Sequence, residues 1–112
     1  MKYYHALYMS DKLRSKRKKI LEKIESGKWQ LDKYVLVLSA KMNNQLEFYN
    51  SVILLQEAMR QDDLLVVGIA DGYDEALELV KQITEEVYKR TQGTDIRAYL
   101  LERQNEFEKG NV

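Results

Sequence analysis

Apolar residues in this chain are grouped, and the groups alternate between two periods. The clearest group is Leu64 to Ala70, LLVVGIA, broken only by Gly68. A largely β-branched run without polar alternation predicts a strand covered on both faces, as parallel strands are. Asp71-Gly72 follows as a turn. Gly72 can take positive φ without a Cβ clash, and Asp71 can accept from a free N–H of the next helical turn. Tyr73, Ala76, Leu77, Val80, Ile83, Val87 and Tyr88 then recur at helical spacing, with Glu78, Lys81, Gln82, Glu85, Glu86 and Lys89 between them. Asp74 and Glu75 at the start and Lys89 and Arg90 at the end suit the helix dipole, and Gly93 offers a stop.

The same reading extends to both ends. Lys2 to Met9, KYYHALYM, is aromatic and β-favouring, and predicts a first strand. Ser10 and Asp11 are candidate caps for a helix over 11–25, whose apolar stripe is narrow: Leu13, Ile20, Leu21 and Ile24. Tyr34 to Ala40 predicts a second strand. In 45–60, Leu46, Tyr49, Ile53, Leu54 and Ala58 fit a helix, although the Phe48 to Leu55 run also suits a strand. The helix is preferred, because a crossover between parallel strands needs a dozen or more residues. After Gly93, Thr94 or Asp95 caps a last helix with a partial apolar face of Ile96, Tyr99, Leu100, Arg103 and Phe107.

The expected order is therefore β-α-β-α-β-α-α. That is an α/β fold with a small three-stranded, mostly parallel sheet flanked by helices. The two edges of so narrow a sheet need covering, or pairing with a second copy, so a homo-oligomer is expected.

Length and composition narrow the class. At 112 residues the chain is expected to form one domain, 1–112, burying about two-thirds of its unfolded surface. There is no cysteine, which removes disulfides and thiolate metal sites and points to a cytoplasmic protein. No stretch approaches the ~20 apolar residues of a membrane span, so no membrane association is expected. Residues 1–9 are too short for a signal peptide.

Charge adds the one unusual feature. The net charge is zero, yet residues 1–30 hold nine Lys/Arg against three Asp/Glu, and the rest hold nine against fifteen. Most of the excess lies on the basic helix 11–25, in Lys12, Arg14, Lys16, Arg17, Lys18, Lys19 and Lys23. Clustered cations suit an acidic protein surface, such as the acidic C-terminal part of a second copy, or a nucleic-acid backbone. Tyr3, Tyr4, Tyr8 and Trp29 could stack on bases, but no helix-turn-helix, zinc-finger or RNP-like pattern accompanies them.

Catalytic signals are sparse. Ser10, Asp11, Ser39, Asp71 and Gly72 are expected near the carboxyl ends of the strands, where open α/β sheets bind ligands. Asp11 and Asp71 together could hold a hard cation such as Mg²⁺, but helix capping explains both more simply. Gly68-x-x-x-Gly72 is no phosphate loop, because no Lys-Ser/Thr follows it and Asp71, Asp74 and Glu75 would repel the anion. His5 is the lone histidine, and the serines form no G-x-S-x-G elbow. The sequence is thus read as a non-enzymatic protein-interaction or oligomerisation module without cofactor or metal. A nucleic-acid-binding accessory protein and a small-ligand or cation binder at the strand ends are the alternatives.

Overall fold

A computed structural model describes residues 2–28, 32–39, 45–55 and 64–110. Strand β1 is Lys2–Met9. A 3₁₀ segment, Asp11–Lys16, runs into α1, Arg17–Glu25. Strands β2, Lys33–Ser39, and β3, Glu47–Asn50, follow, and a second 3₁₀ segment covers Ser51–Leu55. The chain continues with β4, Leu64–Asp71, then α2, Tyr73–Thr91, and α3, Ile96–Glu108. The strands form one mixed sheet in the order β1-β4-β2-β3. β4 is parallel to β1, and β2 is antiparallel to both β4 and β3. Among the described residues no helix is long and apolar enough to cross a membrane.

The apolar run of β4 is explained by its place. Seven of its eight residues are buried, because helices cover both faces of the sheet. On one face Leu36, Leu38, Leu65 and Val67 pack with Leu79, Ile83 and Val87 of α2 and Leu100 of α3. On the other, Val35, Val37, Val66 and Ile69 pack with Leu13, Ile20 and Ile24. The alternation in β4 slips once. Leu65 and Val67 face α2, but beyond Gly68 it is Ala70 that faces α2, while Ile69 faces α1. The register against β2 is irregular at the same place: Leu36 pairs with Gly68, yet Val37 pairs with Val66. One extra residue in β4 re-phases the strand, as β-bulges do.

The α/β class agrees with the sequence reading, and the details differ. The sheet has four strands rather than three, and β2 runs antiparallel. The expected crossover helix over 45–60 is replaced by β3 and a 3₁₀ segment as far as Leu55, and 56–60 lie outside the described residues. The reason is visible in the side chains. Phe48 packs with the α2-side core and Tyr49 with the α1-side core, a period of two that a helix cannot satisfy. An antiparallel strand also needs no crossover.

The edge argument for a second copy weakens as well. β3 is only four residues long. β1 is irregular between Tyr3, opposite Val66, and Tyr8, opposite Gly68, and its His5 N–H donates to Gln104 Oε1 of α3 at 2.8 Å. Short, bulged or covered edges are protected without a partner.

Two local expectations are corrected. Asp71 does not cap α2: the N-cap is Gly72, at φ 99°, with no side-chain capping bond. Asp95 does cap α3, accepting from the Ala98 N–H at 3.0 Å. The buried stripe of α2 is Ala76, Leu79, Ile83 and Val87, while Tyr73, Leu77 and Tyr88 are exposed. Leu79→Ala should therefore cost about 2–4 kcal/mol in denaturant unfolding, the range for a core leucine. Leu77→Ala, one position off the helical period, should cost under about 0.5 kcal/mol.

Candidate interaction surface

The basic segment folds as it does because so few of its residues have anywhere to go. Leu13 anchors the 3₁₀ segment, and Ile20 and Ile24, one turn apart, anchor α1. Lys12, Arg14, Lys16, Arg17, Lys18 and Lys19 are all exposed, and Lys23 is partly so. Local preference works against this arrangement. The first turn of α1 contains no acidic residue, and its N-cap, Lys16, makes no side-chain capping bond. Arg17, Lys18 and Lys19 thus sit at the positive end of the helix dipole. Lys19 and Lys23 are like charges at i, i+4.

Few carboxylates relieve the charge. Arg14 Nη2 lies 3.4 Å from Asp11 Oδ1, a pair in which both side chains are well exposed and which is worth little. Among the described residues no carboxylate lies within ion-pair distance of Lys12, Lys16, Arg17, Lys18, Lys19 or Lys23.

The sheet separates opposite charges. Residues 11–28 on one face hold eight Lys/Arg and three Asp/Glu, whereas residues 73–109 on the other hold six and nine. The asymmetry read along the chain is thus an asymmetry across the sheet.

The tyrosines do not complete a base-stacking platform. Tyr4 is buried and Tyr8 half-buried in the core on the α2 side, opposite α1. Tyr3 alone is on the α1 side, where its hydroxyl donates to Glu25 Oε1 at 2.7 Å. Trp29 lies outside the described residues. The period of two in β1 already separates Tyr3 from Tyr4 and Tyr8.

The expected strand-end site comes together only in part. Ser10 and Asp71 meet: the Ser10 N–H donates to the Ile69 carbonyl, and the Asp71 N–H donates to Ser10 Oγ, each at 3.2 Å. Ser39 is at the opposite end of the sheet, paired with Leu64, because β2 is antiparallel. Its carbonyl accepts from Arg97 Nη1 at 2.8 Å. Asp11 turns into solvent beside Arg14.

The reversal of β2 brings Lys33 to this end instead. Its Nζ is 3.2 Å from Asp71 Oδ1 and 2.9 Å from Asp32 Oδ2. Burial opposes the Lys33 charge, but the bonds to Asp32 and Asp71 outweigh it and raise the ammonium above the ordinary lysine value. The Lys33 bond in turn lowers Asp32. An ammonium thus occupies the position beside Asp71 that a divalent ion would need. Sequence reasoning missed Lys33 because its placement depends on strand direction.

Sequence reasoning also missed a polar network between β1, α2 and α3. Tyr8 and Tyr99 both donate to Glu86 Oε2, at 2.7 and 3.0 Å, and Arg103 Nε donates to the Tyr4 hydroxyl at 3.2 Å. Glu86 belongs by period to the polar face of α2, and only the docking of α3 encloses it. No protein-family model, no curated protein and no solved structure matches this chain.

Proposed function

We propose that the chain is a non-enzymatic, cytoplasmic interaction module whose cationic face, Lys12 to Lys28, docks an acidic protein surface. The observation that carries this reading is a surplus of exposed cations without carboxylate partners, kept against the preference of their own helix. Charges that burden the fold and satisfy nothing within it are explained by something outside it. A phosphate backbone would meet the same cations. The acidic protein is favoured because Tyr4 and Tyr8 are on the other side of the sheet and cannot stack on a strand held there. The acidic α2 and α3 side of a second copy is one surface of the required sign.

The test is fluorescence anisotropy at low and physiological salt, with a labelled Asp/Glu-rich peptide and a single-stranded DNA as probes. Light scattering after gel filtration reads self-association on the same samples. Peptide binding or self-association that salt weakens is expected. Lys16→Glu, Arg17→Glu, Lys18→Glu and Lys19→Glu together should reduce it by more than about tenfold, at about 0.2–1 kcal/mol per charge removed and more for reversal. DNA bound more tightly than the peptide would transfer the reading to nucleic acid. A monomer that binds neither probe would overturn both.

The same side chains should move stability the other way. Lys19→Glu puts a favourable charge in the first turn of α1 and opposite Lys23 at i, i+4, and should raise the melting temperature by a few degrees, for a gain of about 0.3–1 kcal/mol.

A further inference from the structure

A second site lies on the other side of the sheet, independent of the cationic face. A cavity of about 310 Å³ opens beside β1, the end of α2 and α3, lined by His5, Thr91, Tyr99, Glu102, Arg103 and Glu106. That is the lower end of the range for small-ligand pockets. At about 30 Å³ per water-sized group it has room for roughly ten.

Two of its polar groups, His5 and Arg103, are held in place. The His5 ring is stacked on Phe107, with centroids 4.7 Å apart and planes 13° apart, and packs against Tyr4 on another side. Its backbone is tied to Gln104, whose Nε2 donates to Glu108. The imidazole cannot easily turn, yet its Nε2 is buried and has no hydrogen-bond partner among the described residues. Burial, with Arg103 nearby, keeps this ring uncharged below the ordinary histidine value.

Arg103 is fixed in a comparable way. Its Nε is bonded to the Tyr4 hydroxyl, and its guanidinium lies 5.5 Å from the Tyr99 ring centroid. The nearest carboxylate of the network, Glu86, already accepts from Tyr8 and Tyr99. The terminal nitrogens of Arg103 have no ion-pair partner among the described residues. A guanidinium held by Nε and its face offers those nitrogens as a fork for a carboxylate.

The remaining lining decides the ligand class. Glu102 and Glu106 stand one turn apart on α3, on either side of Arg103 in sequence. A simple anion would meet two carboxylates, and a simple cation would meet the guanidinium. A molecule with a carboxylate and an ammonium meets both, and Tyr99 and the Thr91 methyl leave room beside them for an apolar substituent. We propose that this cavity binds a free α-amino acid with an apolar side chain, its carboxylate on Arg103 and its ammonium on Glu102.

The test is amide-resolved NMR titration of the full chain with leucine and phenylalanine at millimolar concentration. N-acetyl-leucine, which lacks the ammonium, and leucinamide, which lacks the carboxylate, are the controls. Saturable shifts centred on His5, Tyr99 and Arg103 are expected with at least one free amino acid. Each control should bind at least about tenfold more weakly, the loss of one charged hydrogen bond. Arg103→Lys should weaken binding similarly, with its melting curve showing that it folds. Glu102→Gln, at an exposed position, should weaken it without moving the melt. Absence of shifts with both amino acids would overturn the proposal. So would either control binding as tightly as leucine, or binding that both variants leave unchanged.

Discussion

Replacing Gly68 with valine should cost about 3 kcal/mol or more, a large part of the 5–15 kcal/mol of a typical domain. Strand propensity alone predicts the opposite sign, because valine gains up to about 1 kcal/mol over glycine in a strand. The structure decides between them. A Cβ on Gly68 would lie 3.3 Å from the Tyr8 carbonyl oxygen and 3.5 Å from both Leu36 Cδ2 and Tyr8 Cβ. The first contact is with backbone, which cannot rotate away. It also falls where β4 loses phase with β2 and where β1 rejoins β4 after its own irregularity. Alanine must displace β1 by a few tenths of an ångström and should cost about 1–2 kcal/mol. Valine adds two methyls to the same space. Denaturant unfolding of Gly68→Ala and Gly68→Val measures both. A valine variant as stable as the parent would mean that β1 can move away, and that the close approach is not what requires glycine.

Gly68 also illustrates what the sequence could and could not convey. It stood out as the one break in an apolar run, but a glycine in a strand signals a bulge, a close approach or nothing. Which of these holds depends on the neighbouring strands, and strand order and direction are weakly encoded. A run buried on both faces looks the same whether its neighbours are parallel or antiparallel. β4 was therefore legible as a buried strand, and its mixed neighbourhood was not. With β2 reversed, Ser39 lies at the far end of the sheet and Lys33 arrives beside Asp71.

The helices show the same division. The existence of α2 was plain from a long stretch at helical period. Its phase was not, because Leu77 and Leu79 are both leucines and only the sheet selects between them. The exposure of the cations between Lys12 and Lys19 was legible, since they cannot be buried without partners, but the expected helix over 11–25 begins as a 3₁₀ segment that ends at Lys16. The cavity beside α3 was not. It combines His5 from β1 with Arg103 from α3, nearly a hundred positions later, and no local pattern joins them.

Raising the pH should unfold this domain through the network around Glu86. Burial and the Glu86 carboxylate raise the phenol of Tyr8 far above its ordinary value, burial raises Tyr4, and both effects raise Tyr99. A phenol raised in the folded state favours folding only while it keeps its proton. Its contribution is complete below the unfolded tyrosine value of about 10 and is lost as the pH rises above it. The three groups share one enclosure, so ionising one adds a negative charge beside Glu86 and disfavours the next. Tyr73 and Tyr88 lie outside this enclosure, exposed on α2. The expected record is two-phased. Tyrosinate absorbance first rises reversibly with native circular dichroism retained, and a cooperative second rise then coincides with loss of structure. Glu86→Gln keeps an oxygen to accept from the Tyr8 and Tyr99 hydroxyls while removing the charge that opposes their ionisation. Arg103 and Tyr4 are left in place. With the folded-state values of Tyr8 and Tyr99 brought closer to the unfolded one, less stability is lost as the pH rises, so the variant's second phase should move to higher pH than the parent's once any difference in neutral-pH stability is subtracted. If parent and variant gave the same second phase, Glu86 would not be what holds these phenols protonated, and burial alone would account for them.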